Sequence, residues 1–154
     1  MNQETLTLLN GINQAIIKFR GIYSLWSKQH HIPYHEMLVL YTVREHGYCS
    51  QKQLCDNYLL PKQTIHNVIS SMKKDGILKL DETHCKGREK TFVLSDKGKD
   101  YAAPFLQSLD SVENYALEQL GTAKLQTLTD LLLEYTLALN TALEKSEKSP
   151  ETKE

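Results

Sequence analysis

The stretch from residue 60 to residue 95, LPKQTIHNVISSMKKDGILKLDETHCKGREKTFVLS, allows few folds. Pro61 suits the first turn of a helix, where its missing N–H would be unpaired anyway. Ile65, Val68, Ile69 and Met72 then recur at i, i+3, i+4 and i+7, the spacing of one buried helix face. The opposite face carries Gln63, Asn67, Ser70 and Lys74, with His66 and Ser71 on its flanks. Gly76 is expected to end the helix in a left-handed conformation. Two short apolar runs come next, 77–80 and 91–94, separated by a polar, basic stretch at 83–89 that reads as a hairpin tip.

Helix, glycine and basic two-stranded loop make the layout of a winged helix-turn-helix, in which the helix enters the major groove and the wing touches flanking backbone. Charge agrees with this. The whole chain is nearly neutral, at net −1, but residues 61–99 hold 9 Lys and Arg against 5 Asp and Glu, and residues 100–154 hold 4 against 10. A local basic patch is what phosphate binding requires.

At 154 residues the chain is long enough for one domain with a real core. Residues 5–30 repeat apolar side chains at helical spacing through Leu6, Leu9, Ile12, Ile16, Phe19, Tyr23 and Trp26, and Pro33 ends that element. Residues 34–46 form a second helix closed by Gly47, and Ser50 caps a short third helix at 51–57. Beyond the wing, Ser95 caps a helix over 96–120, with Pro104 expected to kink it or to mark its real start. Gly121 is a break, and a sixth helix over 123–143 carries the stripe Leu125, Leu128, Leu131, Leu132, Tyr135, Leu139 and Ala142. The charged tail 144–154 is expected to be disordered. The predicted fold is therefore mostly α with a small two- to three-stranded β wing. A winged core at 34–98 is flanked by helices at 5–30 and 99–143, all within one domain over 1–143. Those flanking stripes must be buried somewhere. A homodimer is the solution preferred here, and a monomeric helical cap is the alternative.

Three cysteines without metal-ligand spacing argue against a disulfide framework. Neither a secretory leader pattern nor an apolar run of membrane-spanning length is present, so a cytoplasmic protein with no membrane partner is expected. No Gly-rich phosphate loop, nucleophile elbow or zinc-hydrolase signature occurs. The reading is of a protein that is not an enzyme and needs no cofactor or metal.

Leu54–Cys55, Thr64–Ile65, the run Met72-Lys-Lys-Asp-Gly-Ile-Leu78, Arg88, and Val93-Leu-Ser-Asp-Lys-Gly98 stand in an order and spacing that resembles the MarR family of bacterial winged-helix transcription regulators. The resemblance covers residues 34–103, and the flanking helices agree in order and approximate length. It implies a homodimer on a pseudo-palindromic operator in double-stranded DNA, acting as a repressor that a signal releases. One departure stands out. The family wing reads Asp-x-Arg, and here it reads Lys86-Gly87-Arg88.

Gln63, Asn67 and Ser70 are then candidates for base edges, since amides pair bidentately with adenine. Thr64, Ser71, Lys73 and Lys74 suit phosphates. Lys62, His66, Lys86 and Lys90 complete the basic surround, and Arg88 suits a narrow minor groove. The alternative for the helix is an ordinary solvated face. The family's small aromatic or phenolic ligands bind between the dimerisation helices and the winged core. Here that region holds Tyr23, Trp26, His30, His31, Tyr34, His35 and Tyr41, for which plain packing is the competing reading. Two other responses stay open within the same fold. Metal sensing would draw on His31 and His35, but Pro33 lies between them; redox sensing would draw on Cys85, beside Lys86 and Arg88 in the wing. A winged-helix protein-interaction module is the reading from another class.

Overall fold

A computed structural model describes residues 1–87 and 89–148. Arg88 and residues 149–154 lie outside it, and with them one wing candidate and the end of the expected tail. Along the chain the elements are α1 (Gln3–Gln29), α2 (Tyr34–His46), β1 (Cys49–Ser50), α3 (Gln51–Tyr58), α4 (Lys62–Lys74), β2 (Leu78–Lys86), β3 (Glu89–Leu94), α5 (Asp96–Leu120) and α6 (Thr122–Lys148). They fall into two compact units, residues 1–107 and residues 108 onward.

The first unit contains the winged core. Leu40, Leu54, Ile65 and Met72 are fully buried at its centre, one from α2, one from α3 and two from α4. Burying each such side chain contributes about 1.5–3 kcal/mol. The three strands form one antiparallel sheet in the order β1-β3-β2, with Cys49 opposite Phe92 and Leu78 opposite Leu94. Gly47 closes α2 at φ +78°, as expected of a C-terminal glycine. Ser50 starts α3 with a full capping box: its hydroxyl accepts from Gln53 N–H at 3.0 Å and the Gln53 side chain accepts from Ser50 N–H at 3.3 Å.

The C-terminal end of α4 is latched to the start of α5. Gly76 sits at φ +73°, and Ile77 N–H donates back to Met72 O at 2.8 Å. Ser95 then donates twice, from its hydroxyl to Gly76 O at 2.5 Å and from its N–H to Ile77 O at 2.9 Å. Lys97 Nζ donates to Asp75 O at 2.7 Å. Gly98 packs so closely that a Cβ there would lie 2.1 Å from Ile77 O. Met72 to Ile77 and Ser95 to Gly98, two parts of the family-like pattern, are thus a set of backbone fastenings for α4.

Four expectations need correction. The wing strands are longer than the apolar runs: β2 reaches Lys86 and β3 begins at Glu89, so most of 83–89 is strand and only the tip is turn. Hydrogen bonds to Asp81 organise that polar stretch, and apolar periodicity could not reveal them. Pro104 does not mark the start of its helix; it lies inside α5, which runs from Asp96. Helix α6 continues to Lys148, so residues 144–148 are helix and not tail. It also begins one residue before the expected 123, at Thr122.

Much of the apolar surface of the outer helices is open to solvent. On α1, Trp26 is buried, but Ile17, Phe19, Ile22 and Leu25 are each more than half exposed. On α6, Leu131, Leu133, Leu137, Leu139 and Leu143 are more than half exposed as well. Surfaces of this kind mark interaction sites.

Candidate functional site

Helix α4 buries Ile65, Ile69 and Met72 and turns Lys62, Gln63, His66, Asn67, Ser70, Ser71, Lys73 and Lys74 outward; Thr64 is half-buried. The outward side chains already form short hydrogen-bonded chains. Gln63 Nε2 donates to Asn67 Oδ1 at 2.8 Å, and Ser71 Oγ donates weakly to Asp75 Oδ2 at 3.4 Å. Gln63 and Asn67 therefore stand as one amide pair. One member's donor and the other's acceptor are engaged with each other, and the remaining groups are free to face a base edge.

Beside α4 runs a cleft of about 720 Å³, walled by α3, α4 and β3. Four lysines line it: Lys52 from α3, Lys62 and Lys73 from α4, and Lys90 from β3. Asp56 and Glu89 are the acidic side chains on its walls. Lys73 Nζ also lies 5.3 Å from the centre of the Phe92 ring, a cation–π contact that holds it to the cleft floor. Gln51 Nε2 donates to Lys62 O at 2.9 Å and so ties the start of α3 to the start of α4. The arrangement is a groove with a lysine-rich wall next to a polar helix face. Lysines are suited to phosphates, and the amides to bases. Lys52 was not among the candidates named from sequence. Its signal was its place in the first turn of a capped helix that precedes α4.

A second cavity of about 400 Å³ opens between α1, α2 and the end of α3. Phe19, Arg20 and Tyr23 line it from α1, and Tyr34, Met37, Leu38 and Tyr41 from α2; Asn57, Tyr58 and Leu59 close it at the turn before α4. Tyr58 hydroxyl lies 2.9 Å from Thr42 Oγ1, which itself donates to Leu38 O at 2.9 Å. Burial pushes the Tyr58 phenol above its ordinary value. Leu59 is 89% exposed and takes a left-handed φ of +51°, which a branched side chain seldom adopts.

Of the seven ligand candidates named from sequence, the structure brings Tyr23, Tyr34 and Tyr41 to this cavity. The other four lie elsewhere. Trp26 is buried and stacks on His30 with centroids 4.3 Å apart. His31 occupies the turn after α1 at φ +54°, and His35 rests against the ring of Tyr34. Phe19, Arg20, Asn57, Tyr58 and Leu59 were not named, and the two lining groups they form come from different parts of the chain.

The cysteines differ in setting. Cys49 is fully buried, and burial pushes its thiol up to about 12. Cys55 is half-buried in the wall of the lysine-lined cleft. Cys85 is exposed, and its Sγ–H donates to Asp81 O at 2.9 Å. Among the described residues no group of three or more His, Cys, Asp or Glu is placed to hold a metal ion, and no helix is long and apolar enough to cross a membrane.

No family model matches the chain, and no curated protein matches it in sequence. Solved structures do match. A MarR family regulator from Neisseria meningitidis superposes with a TM-score of 0.81 at 24% identity, over 95% of this chain and 99% of that one. NadR in complex with 4-hydroxyphenylacetate superposes at 0.67 and 18% identity, over 81% and 89% of the two chains. A MarR family transcriptional regulator from Listeria monocytogenes, complexed with a 26mer DNA, superposes at 0.66 and 16% identity, over 94% and 97%. The Neisseria and Listeria likenesses each cover more than nine-tenths of both chains, and the chain has the winged helix-turn-helix fold of the MarR family regulators.

Proposed function

We propose that this protein is a MarR-type transcriptional regulator that binds a pseudo-palindromic operator as a homodimer, represses from it, and is released by a small aromatic ligand. The observation that carries the reading is the polar face of α4 beside a cleft lined by four lysines. A fold that matches a regulator solved on DNA supports the same assignment. Two copies of α4, related by a two-fold axis, read two half-sites. The exposed leucines of α1 and α6 supply the apolar surface that such a pairing buries. Gln63, Asn67 and Ser70 read bases, and Lys52, Lys62 and Lys90 hold phosphates, together with the basic residues of the wing tip.

The ligand site is the cavity between α1, α2 and the end of α3. Its tyrosines and Phe19 suit a flat ring, and Arg20 gives it a cation for an acidic substituent. It ends at the turn that precedes α4, so a ligand that prefers one spacing of the two recognition helices changes DNA affinity through that turn. NadR, with its 4-hydroxyphenylacetate, supports a ligand of this class.

The test is a selection of binding sites from random duplex DNA by the parent, Asn67→Ala and Lys62→Ala. Asn67→Ala is expected to lose about 1–3 kcal/mol of discrimination at one base pair of each half-site and to keep its non-specific affinity. Lys62→Ala is expected to keep the parental site preference and to weaken all DNA evenly, with a salt dependence reduced by about one unit of slope per protomer. Identical preference profiles for the parent and Asn67→Ala would remove α4 from base reading.

A further inference from the structure

The base of the wing holds a cluster that the proposed DNA contacts do not use. Between the pairs Asp81–Thr91 and Lys86–Glu89 the sheet register breaks: β2 advances five residues while β3 advances two. The surplus is a bulge, and a bulge bends its strand and re-aims the segment beyond it. Beyond this bulge β2 ends at Lys86, and β3 returns from Glu89 through Lys90. One residue organises the bulge. The Asp81 carboxylate, 8% exposed, accepts from Thr83 N–H at 3.0 Å, from the Thr83 hydroxyl, and from His84 Nδ1 at 2.5 Å. The Asp81 carbonyl accepts the Cys85 thiol at 2.9 Å and the Thr91 hydroxyl at 2.9 Å.

His84 fastens the bulge to the rest of the core. Its ring stacks on Tyr48, which precedes β1, with centroids 4.5 Å apart and planes 15° from parallel. Both rings face a recess of about 250 Å³ shared with Ser50, Gln53, Glu89 and Thr91. Glu89 accepts a hydrogen bond from the Ser50 hydroxyl there. The groups around the His84 ring are therefore Asp81 on its own strand, Glu89 on β3, the Tyr48 phenol before β1, and the Gln53 amide of α3. Glu89 also lines the lysine-rich cleft, next to Lys90. The clasp and the DNA face thus meet on β3.

We infer that Asp81 and His84 are positioning residues for DNA binding: their ion pair fixes the bulge, and the bulge sets the course of β3 and with it the place of Lys90 on the DNA face. The inference rests on the DNA-binding reading proposed for α4 and its cleft. Imidazole as a class changes charge between pH 5 and 8. A hydrogen bond from an imidazolium to a carboxylate is stronger than one from neutral imidazole. A charged imidazole therefore holds the clasp more firmly than a neutral one, and tighter DNA binding at pH 6 than at pH 8 is the expected result. Asp81 stays ionised across this range. The Thr83 hydroxyl, followed by His84, holds its carboxyl down to about 2.

The experiment is DNA affinity at pH 6 and pH 8, at constant ionic strength, for the parent, Asp81→Asn and His84→Gln on one duplex of random sequence. His66 lines the lysine-rich cleft and is the same in all three proteins, so the comparison between them isolates the clasp. The parent is expected to gain about threefold per protomer at pH 6 beyond what either variant gains. If His84 simply touches phosphate, Asp81→Asn keeps or enlarges the parental pH effect, and that result overturns the inference. Equal pH ratios in all three proteins overturn it as well. The free protein gives a second readout that needs no DNA. The Gly87 and Glu89 amide resonances are expected to shift between pH 8 and pH 6 in the parent and to stay fixed in Asp81→Asn; fixed resonances in the parent overturn the clasp. A parent that binds no DNA at either pH, yet shows the amide shift, overturns the DNA-binding reading and with it the clasp's task. Should Asp81→Asn fail to fold, His84→Gln, changed at an exposed side chain, carries both arms.

Discussion

Gly98→Ala is expected to lower the melting temperature by about 6 °C. A Cβ at this position would meet Ile77 O at 2.1 Å and Ile77 C at 2.9 Å. Both atoms are backbone, and Ile77 O already accepts from Ser95 N–H. Relief therefore means moving the start of α5 away from the end of α4, which breaks the Ser95 and Lys97 fastenings. Forcing extra carbon into a packed site costs about 1–3 kcal/mol, occasionally more. In a chain of this length each kcal/mol is worth about 2–4 °C. The sign of the change is decisive. Helix propensity alone predicts that alanine in α5 stabilises by about 1 kcal/mol. A thermal melt followed by circular dichroism that shows no loss, or a gain, would contradict the close approach of Gly98 to Ile77.

Leu131→Lys combined with Leu139→Lys is expected to convert the protein to a folded monomer. The two positions are eight residues apart, on one side of α6, and both are more than half exposed in the protomer. The substitutions thus leave the core of the first unit untouched. In the proposed dimer each leucine contributes about 1.5–3 kcal/mol on burial, and two lysines in its place leave charges in an apolar interface. Losing the second recognition helix removes half of the specific contacts and lowers operator affinity by about 10³-fold. Light scattering gives the mass, and the circular dichroism of the double variant reports whether the helices persist. A parent that is monomeric, or a double variant that remains dimeric, would sink the dimer built on α6.

The winged core was legible in the sequence because its signals are local. Ile65, Ile69 and Met72 recur at helical spacing, Gly76 and Gly47 have left-handed φ values, and Ser50 caps α3 through a residue three positions on. The wing was only half legible. Apolar periodicity ends at Leu80, yet β2 continues to Lys86, since Asp81 satisfies the bulge with its own carboxylate and carbonyl. That device has no hydrophobic signature. Pro104 left two readings open, and the structure removes the one in which it starts the helix. A proline removes one helical hydrogen bond, but α5 is long enough on both sides of it to continue.

The cavity between α1 and α2 shows the limit most clearly. Tyr23, Tyr34 and Tyr41 drew notice as aromatics near the junction of the first two helices, and all three line the cavity. Trp26 drew notice for the same reason but turns inward to His30, because one helix can present only some of its aromatics to one space. Arg20, Asn57 and Leu59 carry no signal in the sequence of a shared site. Only the packing of α3's end against α2, through Tyr58 and Thr42, places them at the same opening. Lys52 joined the cleft by the same route, through the Gln51 contact that sets α3 beside α4.

The central claim is that the α4 face and its lysine-lined cleft bind a specific two-fold DNA site. It is tested most directly by fluorescence anisotropy of the purified protein on a duplex recovered from random-sequence selection, against a scrambled duplex of equal length, at two salt concentrations. The account predicts two protomers per selected duplex and affinity at least about 10³-fold above the scrambled control. It also predicts a steep salt dependence on both duplexes, set by the phosphate contacts of Lys52, Lys62 and Lys90. Equal and weak binding to both duplexes, or one protomer per duplex, would contradict it.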